Sequence, residues 1–280
     1  MSTPLRVLAF LAALSAAFVA AWGVGKVVDP ISTPPAAHEE AGHGEELEHL
    51  PGGLMVSQDG YTFVAESQAA AGRGVPISFT ITGPDGSPVT SYDVEHEKQL
   101  HLIAVRRDFS GFQHVHPELD ASGTWRTDLD LSPGPWRLFA DFTPVGGEGL
   151  TLGTDLAVAG KYLPSMQLPG DTRTASVGRY QLQLDGELVG GTDSRLTLSV
   201  TKDGEVVETE PYLGASGHLV ALRRGDLAYL HVHPESVEDL EFIAEVPSAG
   251  SYYLYLDFKV DGVVRTAAFT LTAGGGDDEH

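Results

Sequence analysis

From Leu54 onward, apolar and polar residues alternate in short runs, and each run ends in a turn signal. The stretch "VPISFTITGPDGSPVTSY" at 75–92 reads as a strand, a Pro-Asp-Gly turn and a second extended segment. "GPWRLFADFTPVGGEG" at 134–149 reads as a strand that leaves a Pro-Gly turn and enters a glycine-rich loop. A period of two sends successive side chains to opposite faces, the signature of a half-buried strand. No stretch beyond residue 30 carries a helical period of useful length. The pattern predicts an all-β chain of sandwich type.

The pattern also occurs twice. Of the 18 residues from His101 to Glu118, ten recur identically at a constant offset of 117. More loosely, "TITGPDGSPV" resembles "SVTKDGEVV", "WRLFADF" matches "YYLYLDF", and "GRYQLQL" opens the second unit where "DGYTFVA" opens the first. Two units of about 100 residues suit two tandem immunoglobulin-like or cupredoxin-like β-sandwich domains. The expected organisation is a signal peptide or transmembrane anchor at 1–29, a His- and Glu-rich linker at 30–53 and a first sandwich at 54–160. A connector at 161–172, a second sandwich at 173–273 and a polar tail at 274–280 complete it.

The N-terminal run from Val7 to Gly25 holds no charged residue, with Arg6 before it and Lys26 after it. Its length allows a single span of roughly 20 residues, and the small residues near Ala20 allow signal cleavage. Either reading places the rest of the chain outside the cytoplasm, membrane-anchored or secreted. The linker carries His38, His43 and His49 among five glutamates, which suits a solvated tether or a low-affinity metal-scavenging arm. A formal charge of -22 over 280 residues disfavours nucleic acid and anionic membrane surfaces as partners and is compatible with cations. The membrane is expected to matter only through the N-terminal segment. The chain has no cysteine, which excludes disulfides, thiolate metal sites and cysteine nucleophiles. Any metal must sit on imidazole or oxygen.

Such ligands occur in both units. In "HLVALRRGDLAYLHVH" two alternating runs meet at Gly225-Asp226, as in a two-residue hairpin. With Arg224 facing Leu227, His218 falls opposite His233 and Val220 opposite His231, so His218, His231 and His233 share one face. The first unit has the same spacing. His101, His114 and His116 share a face whether its bend is two residues or four, because the two registers differ by two. That face carries Ile103, Val105 and Phe112 in one unit and Val220, Leu222 and Tyr229 in the other. Arg106 and Arg223 lie on the opposite face, so the histidine face is expected to turn inward. Asp141 in "LFADF" and Asp257 in "LYLDF" are candidate fourth ligands, Glu118 and Glu235 candidate orienting acids, and His96 a lesser candidate.

The stretches "HEKQLHLIAVRRDFSGFQHVHP", "WRLFADFTP", "PYLGASGHLVALRRGDLAYLHVHP" and "VVRTAAFTLTA" resemble an actinobacterial group of exported or membrane-anchored proteins with duplicated His-rich sandwich units. The resemblance implies heavy-metal binding. The pattern of His, HxHP and DF is similar to that of exported bacterial domains associated with copper handling, and it maps onto His101, His114, His116 and Asp141, then His218, His231, His233 and Asp257. "FQHVHPELD" also resembles the copper-binding strand of copper/zinc superoxide dismutases, without the bridging histidine, zinc loop or cysteine pair of that family.

The leading expectation is an extracytoplasmic protein that sequesters or hands on a transition metal through one three-histidine site per domain. Its partners would be the metal ion and other extracytoplasmic metal-handling proteins. Cu(II), or Zn(II), is expected, since no Cys and no Met near the sites supplies soft ligands for Cu(I). A metal-dependent enzyme with an open position on a His₃ ion is one alternative, although no base or nucleophile stands at a persuasive spacing. A structural or adhesive pair of immunoglobulin-like domains is the other. Serine-hydrolase, P-loop and dinucleotide signatures are absent.

Overall fold

The computed structural model describes residues 15–16, 51–165 and 170–275. The expected signal or anchor apart from residues 15–16, most of the linker with His38, His43 and His49, and the end of the tail lie outside the described residues. Among the described residues no helix is long and apolar enough to cross a membrane.

Alternating runs become strands, as the pattern predicts, and they form two tandem sandwiches. The first contains β1 (Ser57–Gln58), β2 (Tyr61–Ala65), β3 (Gln68–Ala69), β4 (Gly72–Thr82) and β5 (His101–Arg106). It continues with β6 (Gln113–Val115), β7 (Glu118–Leu119), β8 (Thr124–Leu131), β9 (Gly134–Phe142) and β10 (Leu150–Val158). One sheet has the order β1-β2-β4-β8-β7 and the other β3-β10-β9-β5-β6. The second sandwich contains β11 (Thr174–Val177), β12 (Tyr180–Asp185), β13 (Val189–Gly190), β14 (Thr192–Lys202), β15 (Glu205–Val206) and β16 (Gly217–Arg223). It ends with β17 (Tyr229–Leu230), β18 (Val232–Pro234), β19 (Glu241–Val246), β20 (Gly250–Val260) and β21 (Val263–Gly275). Its sheets run β11-β12-β14-β19-β18 and β13-β21-β20-β16-β17, so the repeat in sequence is a repeat in topology.

Each sandwich has its own core. In the first, Phe63, Phe79, Ile81 and Trp125 of one sheet meet Leu102, Ala104, Leu138 and Leu152 of the other. In the second, Leu182, Leu196, Leu198 and Phe242 meet Leu219, Ala221, Leu254 and Phe269. Full burial of one such aliphatic or Phe side chain contributes roughly 1.5–3 kcal/mol before entropy is counted.

A third apolar cluster joins the two sandwiches. Ile103, Val105 and Phe139 pack with Val220, Leu222, Tyr253 and Tyr255. Phe109 stacks on Tyr253 at 3.9 Å and Phe112 on Tyr255 at 4.0 Å between ring centroids, and the Tyr255 hydroxyl donates to the Phe109 carbonyl at 2.7 Å. The strands β5 and β16 are therefore buried on both faces, which explains why "HLIAVR" and "HLVALR" are apolar at odd and even positions alike. This corrects the expected orientation. Leu102 and Ala104 face their own core, while the histidine side of β5, with Ile103 and Val105, faces the other sandwich. Arg106 does not mark solvent: it is buried, held by Asp108, the Ser132 hydroxyl and the carbonyls of Pro133 and Leu163.

Gly52 and Gly53 lie against the same junction. Tyr229 donates its amide to Gly52, and Gly53 donates to Thr151. A Cβ on Gly53 would stand 2.3 Å from the Phe139 ring, and its φ of 72° favours glycine as well.

Candidate metal centre

The lone histidine of each repeat lies at the start of its strand, first in β5 and second in β16, directly across from the acid of the "DF" motif. His101 pairs with Asp141 on β9, and His218 pairs with Asp257 on β20. On the other side of β5, Ile103 faces His114 on β6, the register of the two-residue bend. His101, His114 and His116 converge as expected, with one ligand atom from each lying within 4.8 Å of the others. Their ring centroids are 4.8 to 5.2 Å apart.

The hydrogen bonds fix the tautomers. His101 Nε2 lies 3.2 Å from the Glu95 carbonyl, which can only accept, so that nitrogen carries the proton. His114 Nδ1 lies 2.9 Å from the Asp257 carboxylate, which also accepts from the Thr266 hydroxyl, so His114 is protonated on Nδ1. The two remaining nitrogens, His101 Nδ1 and His114 Nε2, then point their lone pairs at one another across 3.0 Å. The third ring adds His116 Nε2, buried and without a hydrogen-bond partner. Lone pairs facing lone pairs require a cation between them. Two nitrogens bound to one ion at about 2.0–2.1 Å stand roughly 2.9–3.4 Å apart, which matches the observed separation.

Burial works against a proton on two of the three rings. Burial, aided by the neighbouring His114, holds both His101 and His116 down at about 3. Burial and His114 likewise hold His218 at about 4. Neutral imidazoles are the ligand form for a divalent ion. A carbonyl behind one ring and a carboxylate behind another are the outer partners that orient such ligands. That carboxylate, Asp257, belongs to the other sandwich; the His114 and Asp257 side chains are 3% and 5% exposed. Asp257, expected as a ligand of the second unit, thus serves a ring of the first. Its counterpart Asp141 accepts from the Thr151 hydroxyl at 2.8 Å, and burial pushes its carboxyl up, against the pull of Thr151 and His231.

The second expected triad does not assemble. His218 is buried and faces the first unit, its ring centroid 6.1 Å from those of both His101 and His114 and 5.0 Å from that of His96. Its Nε2 donates to the Tyr212 carbonyl, six residues back, as His101 does to Glu95. His231 and His233 instead join Glu245 in an exposed group, the two rings 3.9 Å apart and His233 Nε2 3.7 Å from Glu245. The cause is a change of sheet. The predicted register holds for Ala221 with Leu230 and Leu222 with Tyr229, but β18 then pairs with β19 of the opposite sheet, His233 facing Ile243. In the first sandwich the crossing comes later, after Val115, at β7. Glu235 does not orient an imidazole; its carboxylate pairs with Arg195 and its amide bonds Glu241, tying the segment to the opposite sheet. Glu118 pairs in register with Arg126 on β8.

All seven histidines among the described residues thus gather at the junction. A cavity of about 100 Å³ opens there, lined by residues of both sandwiches, among them His101, His114, Asp141, His218, His231 and His233. Glu245 had no signal in the sequence, because its partner strand comes from the other sheet. Glu95 contributes a backbone carbonyl, which leaves no trace in residue type.

No curated protein matches the sequence. Among solved structures, the Escherichia coli adhesin FdeC is 14% identical over 79% of this chain and 65% of its own, with a TM-score of 0.25. The Yersinia pseudotuberculosis adhesin InvE is 13% identical over 78% of this chain and 60% of its own, with a TM-score of 0.22. The Ig1-2 module of the Drosophila receptor protein tyrosine phosphatase DLAR is 7% identical over 77% of this chain and 98% of its own, with a TM-score of 0.21. This chain therefore spans less than two thirds of the length of the two adhesin structures, and scores this low carry no argument about function. A family model matches the chain twice, over residues 56–160 and 175–275, and the chain belongs to that family, described as Domain of unknown function (DUF8832).

Proposed function

We propose that the junction between the sandwiches binds a divalent transition-metal ion as cargo, held by His101 Nδ1, His114 Nε2 and His116 Nε2. One observation carries the reading: two imidazole lone pairs, each set by an acceptor behind its ring, face each other at 3.0 Å in a buried site beside a third unpartnered nitrogen. Cu(II) is the preferred ion and Zn(II) the next, on the general affinity order for imidazole sites. The apolar N-terminal run suits an exported protein that sequesters such an ion or hands it on.

A second reading has its own support. The aromatic stacks and the His114–Asp257 bond fasten two immunoglobulin-like sandwiches together without any ion, as a structural or adhesive module requires. Equilibrium titration of the full chain with Cu(II) and Zn(II) against a chromophoric chelator separates the two. The metal reading expects tight uptake that His114→Ala abolishes. Absence of tight uptake of either ion by the parent protein leaves the structural module.

A further inference from the structure

Beyond the buried triad, we infer that the junction is a two-station path: exposed His231, His233 and Glu245 capture a divalent transition-metal ion and pass it to His101, His114 and His116. The inference rests on the reading proposed above for the buried triad.

Both stations open on one space. His231 and His233 of the outer group and His101 and His114 of the inner one line the same cavity of about 100 Å³. Their environments are opposed. The outer three residues are all exposed, whereas His101 is buried and His114 and His116 are partly covered. The outer set includes a carboxylate, which attracts a hydrated cation and lets it exchange ligands with water. The inner set is three imidazoles without a carboxylate among them, a covered site suited to holding an ion rather than exchanging it.

The residues between the stations are of the kind a passing ion needs. His218, from the second sandwich, stands 5.0 Å from His96 and 6.1 Å from His101 and His114 between ring centroids. Asp141 lies on the cavity wall within electrostatic reach of both His231 and His114. His96 sits in a tight turn closed by mutual backbone bonds between Glu95 and Lys98, with φ of 48° at His96 and 64° at Glu97. The same turn of the second sandwich holds Leu213 and Gly214. Glu97 holds a left-handed conformation where the second sandwich has Gly214, and strain of this kind concentrates at functional sites.

The earlier sheet crossing at β18 explains how one duplicated motif gives two stations. It takes His231 and His233 out of reach of a buried triad and leaves them exposed on the cavity lining, while their counterparts His114 and His116 stay grouped with His101. The two copies of "HVHPE" have become an outer and an inner site.

The test is stopped-flow loading of the full chain with Cu(II) supplied as its glycine complex, read by quenching of tryptophan fluorescence, beside equilibrium titration. The parent is expected to take up two equivalents, a fast weak one and a slower tight one. The double variant His231→Ala/His233→Ala is expected to lose the weak equivalent and keep the tight affinity within threefold. Its tight site should load at least tenfold more slowly, with Glu245→Gln slowing loading severalfold. Loading of the tight site at the parent rate in the double variant overturns the path and leaves the inner site standing. His116→Ala is expected to lose the tight equivalent and retain the fast one; retention of the tight equivalent there refutes the inner site, and the path with it.

Discussion

Replacing Asp257 by Asn removes a carboxylate of the second sandwich that orients His114, a proposed metal ligand of the first. The bond to His114 Nδ1 is 2.9 Å long, and the two side chains are 3% and 5% exposed. At that depth a hydrogen bond with a charged acceptor is worth about 1.5–3 kcal/mol. Loss of an outer partner of a ligating histidine costs roughly 10–100-fold in metal affinity, or about 1.4–2.8 kcal/mol, the same range reached independently. The Asn amide keeps the shape and its oxygen can still accept from His114, which favours the lower half of the interval. Chelator competition on the full chain at neutral pH measures the effect, and near-UV circular dichroism reports whether the Phe109–Tyr253 and Phe112–Tyr255 stacks persist. A Cu(II) affinity within twofold of the parent, with the near-UV signal unchanged, would refute the reasoning, since His114 would then need nothing from the second sandwich.

The remaining predictions concern acid, the interface and the linker. Burial holds His101 and His116 at about 3 and His218 at about 4, below the unfolded value near 6.5. Between these limits the unfolded chain binds more protons than the folded one, so stability of the metal-free protein falls as pH drops from 6.5 toward 4. Urea midpoints at pH 7.5 and pH 5 should differ, and equal midpoints would show that these rings titrate normally. Tyr255→Ala removes the stack on Phe112 and the bond to Phe109, costing about 3–5 kcal/mol in thermal or urea unfolding; a loss below 1 kcal/mol would mean that the sandwiches do not depend on this contact. Gly53→Val places a Cβ against Phe139 at positive φ, and overpacking together with backbone strain should cost about 2–4 kcal/mol, read as a lowered Tm. An unchanged Tm would place Gly53 away from the Phe139 ring.

Local geometry was largely legible in the sequence, and the partners of that geometry were not. Strict alternation and a two-residue bend were enough to pair Ala221 with Leu230 and Leu222 with Tyr229. The spacing likewise brought His101, His114 and His116 together, since side-chain parity is a property of the strand alone. The crossing of β18 to the opposite sheet depends on β19, just past the motif, and on β14, some thirty residues before it, and ten identities in 18 residues say nothing about either. The orientation of the histidine face escapes the local pattern for a related reason. Arg106 reads as a surface residue by type, yet it is buried in a network closed by Asp108 and by the carbonyl of Leu163, far along the chain. One clue was present: "HLIAVR" and "HLVALR" are apolar at both parities, and a strand covered on only one face has no need of that. The role of Asp257 shows the same limit, because its value to His114 comes from an interface to which neither repeat's own pattern points.

The central claim is that a metal ion sits among three nitrogens of the first sandwich. Crystals of the protein grown with one equivalent of Cu(II), with anomalous diffraction recorded at the copper edge, test it most directly. The account predicts one strong peak about 2 Å from His101 Nδ1, His114 Nε2 and His116 Nε2. A peak confined to His231 and His233, or no peak at the junction, would contradict it.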